Sequence, residues 1–170
     1  MACLPRADGV VRGKARGLLA ITVLAVGGCT MTGADGTAAP EQAEVAAMAA
    51  TYRYLFANNA SGLQDDAATY CVGVGARPFT DPSPALLAAL SAVPKVEPVS
   101  TCRIGDRVVN AASQPSLSFN LTTVRCEGPD NCLFEGGYYE ANLSASNGRY
   151  RARKVGDEWQ VTPEGPQAIS

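Results

Sequence analysis

Cys132-Leu-Phe-Glu-Gly-Gly-Tyr-Tyr-Glu-Ala-Asn-Leu-Ser-Ala-Ser-Asn-Gly-Arg-Tyr-Arg-Ala-Arg-Lys-Val155 decides how the chain folds, because it carries two glycine signals with different meanings. Gly136-Gly137 interrupts a strand-forming run from Cys132 to Ala145, as expected where a sharply curved sheet bends. Asn147-Gly148 is a two-residue hairpin signal, since both residue types tolerate the positive φ of a tight antiparallel turn. It predicts a partner strand over Arg149 to Val155.

Outward from this stretch the chain continues to read as strands. Residues 116 to 126 alternate as Leu117, Phe119 and Leu121, then change phase to Val124 and Cys126, which predicts a bulge near Thr122 or Thr123. Arg107 to Asn110 is a short strand. Val96 to Ile104 is extended, and Pro98, which cannot donate to a ladder, belongs at an edge or a bulge. Downstream, Gly156-Asp157 turns the chain into Glu158-Trp-Gln-Val161 with Trp159 and Val161 inward. Residues 163–170 are expected as a loose tail.

Upstream the period becomes helical. Val45, Met48, Ala49, Tyr52, Leu55 and Phe56 recur at spacings of three and four after Pro40 and Glu41, and Asn58 and Asn59 suit a helix end. Ser61-Gly-Leu-Gln64 has the form of a capping box, predicting a short second helix that carries Leu63, Ala67 and Tyr70 inward and finishes near Cys71. Gly73, Gly75 and Pro78 break the pattern. Ser83 as cap and Pro84 at the first helical position begin a third helix, with Leu86, Leu87 and Leu90 toward the core and Pro94 beyond its end. Helices followed by strands make residues 41–162 a single α+β domain, with N-terminal helices packed on a curved antiparallel β-meander. This order of elements resembles the NTF2-like and cystatin-like superfamily, whose members serve many unrelated activities, so the resemblance transfers no function.

A different signal precedes the domain. Leu18 to Cys29 is an uncharged apolar run, too short to span a bilayer at ~20 residues. It follows Arg6, Arg12, Lys14 and Arg16 and closes on Val26-Gly27-Gly28-Cys29. The run is similar to a bacterial lipoprotein signal with its lipobox. That resemblance implies cleavage after residue 28, acyl chains including palmitate on Cys29, and a stable membrane anchor, because two or more chains hold where one does not. It further implies export to the periplasm. Thr30 and Met31, with no Asp beside the cysteine, imply sorting to the periplasmic face of the outer membrane. Residues 29–40, small and polar with little apolar bulk, then serve as a flexible tether.

Without residues 1–28 the chain holds ten Lys plus Arg against fifteen Asp plus Glu, a net charge near minus five. Nucleic-acid binding needs a basic surface that releases counterions from phosphate, and this balance has the wrong sign. Acidic lipid headgroups are disfavoured for the same reason.

Cys3 departs with the signal, leaving Cys71, Cys102, Cys126 and Cys132 besides Cys29. In an oxidising compartment four thiols imply two bridges with three possible pairings. Cys126-Glu-Gly-Pro-Asp-Asn-Cys132 sets two of them at facing ends of a hairpin loop, so Cys126 with Cys132 is the expected local bond and Cys71 with Cys102 the long one. A zinc site is disfavoured, because no Cys-x-x-Cys pair and no histidine occur in the chain.

The lack of histidine also removes Ser-His-Asp and Cys-His catalysis. No Gly-x-Ser-x-Gly elbow, phosphate loop or dinucleotide fingerprint is present, and no cofactor is expected. Carboxylate chemistry remains, on Glu135 and Glu140 or on Asp65-Asp66, with solvated acids and a helix start as the ordinary alternative. Candidate pocket or interaction residues are Tyr138, Tyr139 and Glu140 on one strand. Arg149, Arg151 and Arg153, on one face at period two, would grip an anionic glycan or an acidic partner. The expectation is a non-enzymatic envelope lipoprotein that binds a protein or a cell-wall component, with an inhibitor or immunity protein as its narrower variant. The alternatives are a structural subunit of an envelope assembly, or an acid-base enzyme using Glu140 with Tyr138 or Tyr139.

Overall fold

The helical spacing from Val45 to Phe56 is realised in α1, Ala38–Ala57. The structure is a computed structural model that describes residues 38–170; the signal segment, Cys3, the lipobox and Cys29 lie outside the described residues. α1 begins three residues before Glu41 and buries Met48, Tyr52, Leu55 and Phe56 along one stripe. Asn58 and Asn59 end it by donating to the free carbonyls of its last turn, Asn58 Nδ2 to Tyr54 O at 2.8 Å and Asn59 Nδ2 to Phe56 O at 2.9 Å. Tyr52 Oη donates to Gly73 O at 2.7 Å, and burial drives its pKa up. That bond ties the helix to the sheet beneath it. Among the described residues no helix is long and apolar enough to cross a membrane.

The sheet differs from the expected arrangement. Its strands are β1 (Tyr70–Val74), β2 (Val96–Pro98), β5 (Leu117–Cys126), β6 (Asn131–Ala141), β7 (Ser144–Val155) and β8 (Glu158–Ile169), in the order β2-β1-β5-β6-β7-β8. Only β5 to β8 form an antiparallel meander, and β1 runs parallel to both β2 and β5. The expected α+β arrangement of N-terminal helices packed on a curved antiparallel meander is therefore overturned by a six-stranded mixed sheet. The domain has one long helix and a second short one, α2 (Pro84–Leu90), placed between β1 and β2 as a crossover. α2 starts as read, with Ser83 Oγ accepting from Leu86 N at 3.2 Å.

The departure from the expected second helix lies at Ser61 to Val74. Ser61 Oγ does accept from the N–H of Leu63 and Gln64, but only a 3-10 turn at Gln64–Asp66 follows, and Tyr70 already belongs to β1. A segment this short nucleates a helix poorly, and pairing on both sides of Tyr-Cys-Val-Gly-Val offers its backbone more hydrogen bonds. β1 is buried on both faces, so it shows no alternation, as is usual for parallel strands.

The structure also differs from expectation between Cys132 and Ile169. Asn147-Gly148 lies inside β7, and the turn is Asn142-Leu143, after which Ala141 pairs with Ser144. Gly148 answers close approach instead: a Cβ there would collide with the side chain of Gln167, which crosses over it. β8 also continues to Ile169, pairing Pro163 with Tyr150, Glu164 with Arg149 and Ala168 with Asn147, so residues 163–170 are not a loose tail. Pro98 stands in the edge strand β2, and the phase change in β5 is a register shift between Thr123 and Arg125.

α1 packs on the sheet face formed by Val72, Leu117, Phe119, Leu121, Phe134 and Tyr138. The other face is half covered by residues 75–81, by the 3-10 turn Val99–Thr101, and by the small pair β3 (Arg103–Ile104) and β4 (Val108–Val109). Disulfides join Cys71 to Cys102, with Cα atoms 6.2 Å apart, and Cys126 to Cys132 at 4.0 Å, the two pairs expected from spacing. The first ties β1 to the covering segment and the second closes the β5–β6 hairpin.

Candidate binding groove

Strand alternation sends Leu117, Phe119 and Leu121 toward α1 and leaves Ser118, Asn120 and Thr122 on the far face. Register then sets Tyr139 beside Ser118, Gly137 beside Asn120 and Glu135 beside Thr122, and β7 adds Ala145, Asn147 and Arg149 in the same rows. The uncovered part of this face is the floor of a groove of about 630 Å³. Its walls are the loop from Gly75 to Phe79 and the end of β8, Ala168 to Ser170. Gly137 answers close approach of β6 and β7, since a Cβ there would strike the Ser146 carbonyl.

The loop wall is built locally. Gly75 takes φ +86°, a conformation side chains resist, and turns the chain out of β1. Val74 and Thr80 then exchange backbone bonds of 2.8 and 3.0 Å, closing the loop with Arg77 between them. The Arg77 guanidinium lies 5.4 Å from the Phe79 ring centroid and 5.3 Å from that of Tyr139. Each such contact is worth about 0.5–1 kcal/mol at an exposed site, so the two together restrain the guanidinium. Tyr139 is held in turn by its hydroxyl, 2.8 Å from Gly105 O and 3.0 Å from Asn142 Oδ1. No described residue accepts a hydrogen bond or an ion pair from Arg77.

The acids near it are engaged elsewhere. Glu135 pairs with Arg149 at 3.2 Å, and Asp81 accepts from Ser100 N at 2.9 Å and Ser100 Oγ at 2.6 Å. The side chains of Asn120, Thr122 and Asn147 make no hydrogen bond to a described residue. The groove therefore offers one uncompensated cation, three unspent polar groups, and an apolar margin at Val124, Ala145 and Ile169.

The residues singled out from sequence are dispersed. Tyr138 is buried against Phe119 on the α1 side, Tyr139 lines the groove, and Glu140 points back toward the end of α1. Glu140 Oε2 accepts from Ser61 Oγ at 2.6 Å and Ser144 Oγ at 2.8 Å. Burial works to raise its pKa, but these hydroxyls and the N–H groups of Gly62 and Leu63 outweigh it and hold the carboxyl below its ordinary value. Glu140 is thus a clasp for the 61–63 turn, and no tyrosine hydroxyl converges on it.

The arginine row is not a free cationic stripe. Arg151 is forked onto Glu164, Nε to Oε1 and Nη2 to Oε2 at 3.0 Å each, donates to Asn131 at 3.1 Å, and is only 11% exposed. Arg149 is paired with Glu135, and Arg153 is exposed at the far end of β7. The carboxylates interleave because β6 and β8 each place an acid opposite a β7 arginine. Arg77, Phe79, Asn120 and Asn147 were not found from sequence. The one available signal was Asn120 and Thr122 as polar positions in an apolar-alternating strand.

Among the described residues no three His, Cys, Asp or Glu side chains converge where a metal would sit. No family model, curated protein or solved structure matches this chain.

Proposed function

We propose that this chain is a lipid-anchored protein of the cell envelope, on the periplasmic face of the outer membrane, whose domain works by binding a partner in the groove beside Arg77. The single observation that carries the binding reading is the unspent chemistry of that groove: a cation held by two rings and three polar side chains without partners, in a site of about 630 Å³. Ligand sites are concave, with a few placed polar groups on an apolar lining. The anchor rests on the lipobox resemblance at Val26 to Cys29 and on two disulfides, which persist in oxidising compartments.

Two measurements test the reading. Growth in labelled palmitate is expected to label the protein and not a Cys29→Ala form; equal labelling, or none in either, defeats the anchor. A photo-crosslinking side chain at Thr122, on the groove floor, is expected to give adducts in intact cells that the same group at Gln160 does not. Indistinguishable adduct patterns defeat the groove.

A further inference from the structure

Resting on the reading of this groove as a binding site, we infer that its ligand is an extended peptide bearing a carboxylate, which the guanidinium of Arg77 takes as a fork. Arg77 is the one cation of the groove without an acidic partner, because Arg149 is matched by Glu135 and the neighbouring Asp81 is spent on Ser100. Contact with both the Phe79 and Tyr139 rings restrains the guanidinium, and a restrained guanidinium with a free N–H edge matches a carboxylate through two parallel bonds. Arg151, on the same face, shows that geometry with Glu164, Nε donating to Oε1 and Nη2 to Oε2, each at 3.0 Å.

The floor decides what carries the carboxylate. Asn120 and Asn147 flank Gly137 in one row across β5, β6 and β7, two strand spacings apart, about 10 Å. Between them the floor is bare backbone. Each amide both donates and accepts, so the pair can meet the N–H and C=O groups of an extended chain laid across the strands, at positions about three residues apart. A fatty chain on the same floor would bury these amides unmatched, at about 1–3 kcal/mol each. Inorganic phosphate would use Arg77 and leave the floor unused.

The experiment titrates the full chain in detergent micelles, labelled with ¹⁵N, with four probes: acetyl-Ala-Ala-Glu-Ala-Ala-amide, the same peptide with Gln for Glu, inorganic phosphate and decanoate. Both peptides are expected to shift the side-chain amide signals of Asn120 and Asn147, with the Glu peptide at least tenfold tighter. Arg77→Gln is expected to abolish that preference, and Arg77→Lys, which keeps the charge and loses the fork, to remove most of it. Equal affinity for the Glu and Gln peptides overturns the carboxylate inference while the groove reading stands. Tighter binding of decanoate or phosphate than of the Glu peptide overturns the peptide assignment in favour of that ligand. No shift from any probe overturns the groove reading together with the inference.

Discussion

One sheet presents two unlike faces. Toward α1 it sets Phe119, Phe134, Tyr138 and Leu121 against Tyr52 and Phe56, with ring centroids 4.9 Å apart for Phe56 and Phe119. Across the same strands it sets Asn120, Thr122, Glu135, Tyr139 and Asn147, covered at one end by the 75–116 segment and open at the other. Alternation along β5 and β6 separates two environments within single strands: one side chain in two packs in the core, and its neighbour faces the groove side. A substitution's consequence is therefore set by its parity as much as by its type.

The largest effect is expected from Phe119→Ala, a fully buried ring on the α1 side, which should lower stability by about 3–5 kcal/mol in urea unfolding. Thr122→Ala, three residues on and on the other face, should stay within about 0.5 kcal/mol. Similar losses at the two sites would break the comparison. Removing the Cys71–Cys102 bond, which joins β1 to the groove-side cover across 31 residues, should cost roughly 3–4 kcal/mol, against about 2 for Cys126–Cys132 across 6. Non-reducing thermal unfolding of the two paired Cys→Ser variants orders them.

Glu140→Gln should cost about 1 kcal/mol at neutral pH, through weaker bonds to Ser61 and Ser144. Because its folded pKa lies below its unfolded value, the carboxylate stabilises above the ordinary pKa of about 4.3. That stabilisation is lost as pH falls through the lower, folded pKa. Urea midpoints of parent and variant should therefore converge toward pH 3. A gap that persists there would mean that the clasp acts by packing. The smallest stability change belongs to Arg149→Ala, whose ion pair is 59% and 44% exposed and worth at most about 0.5 kcal/mol. It should nonetheless weaken the Glu peptide, since an unpaired Glu135 adds negative charge to the groove. An unchanged affinity would place the peptide away from Glu135.

The stretches that read true are those whose pattern is local. The stripe of α1, the Ser83-Pro84 start of α2 and the alternation at Leu117, Phe119 and Leu121 each report a period that backbone geometry imposes on its own neighbours. The failures are those where a distant strand overruled a local signal. Ser61 carries a cap, but its proton goes to Glu140, 79 residues away, and the following segment is drawn into a parallel pairing. Asn147-Gly148 has turn chemistry, yet Gln167 needs the space above Gly148, and the turn forms at Asn142-Leu143. The arginine row was visible at period two, but its matching acids on β6 and β8 were not, because nothing within β7 encodes its register with them.

By itself the amino-acid sequence determined the stripe of α1, the start of α2, the alternation of β5, the acidic balance and the economy of four cysteines in two bonds, since each is a property of composition or of local spacing. Only the tertiary structure decided that β1 inserts in parallel between β2 and β5, that Glu140 is occupied, and that Arg77 meets Phe79 and Tyr139 beside an open floor of amides. The physical reason is that such meetings depend on which strand edges pair and in what register. That choice minimises the free energy of the whole sheet, and no segment carries it alone.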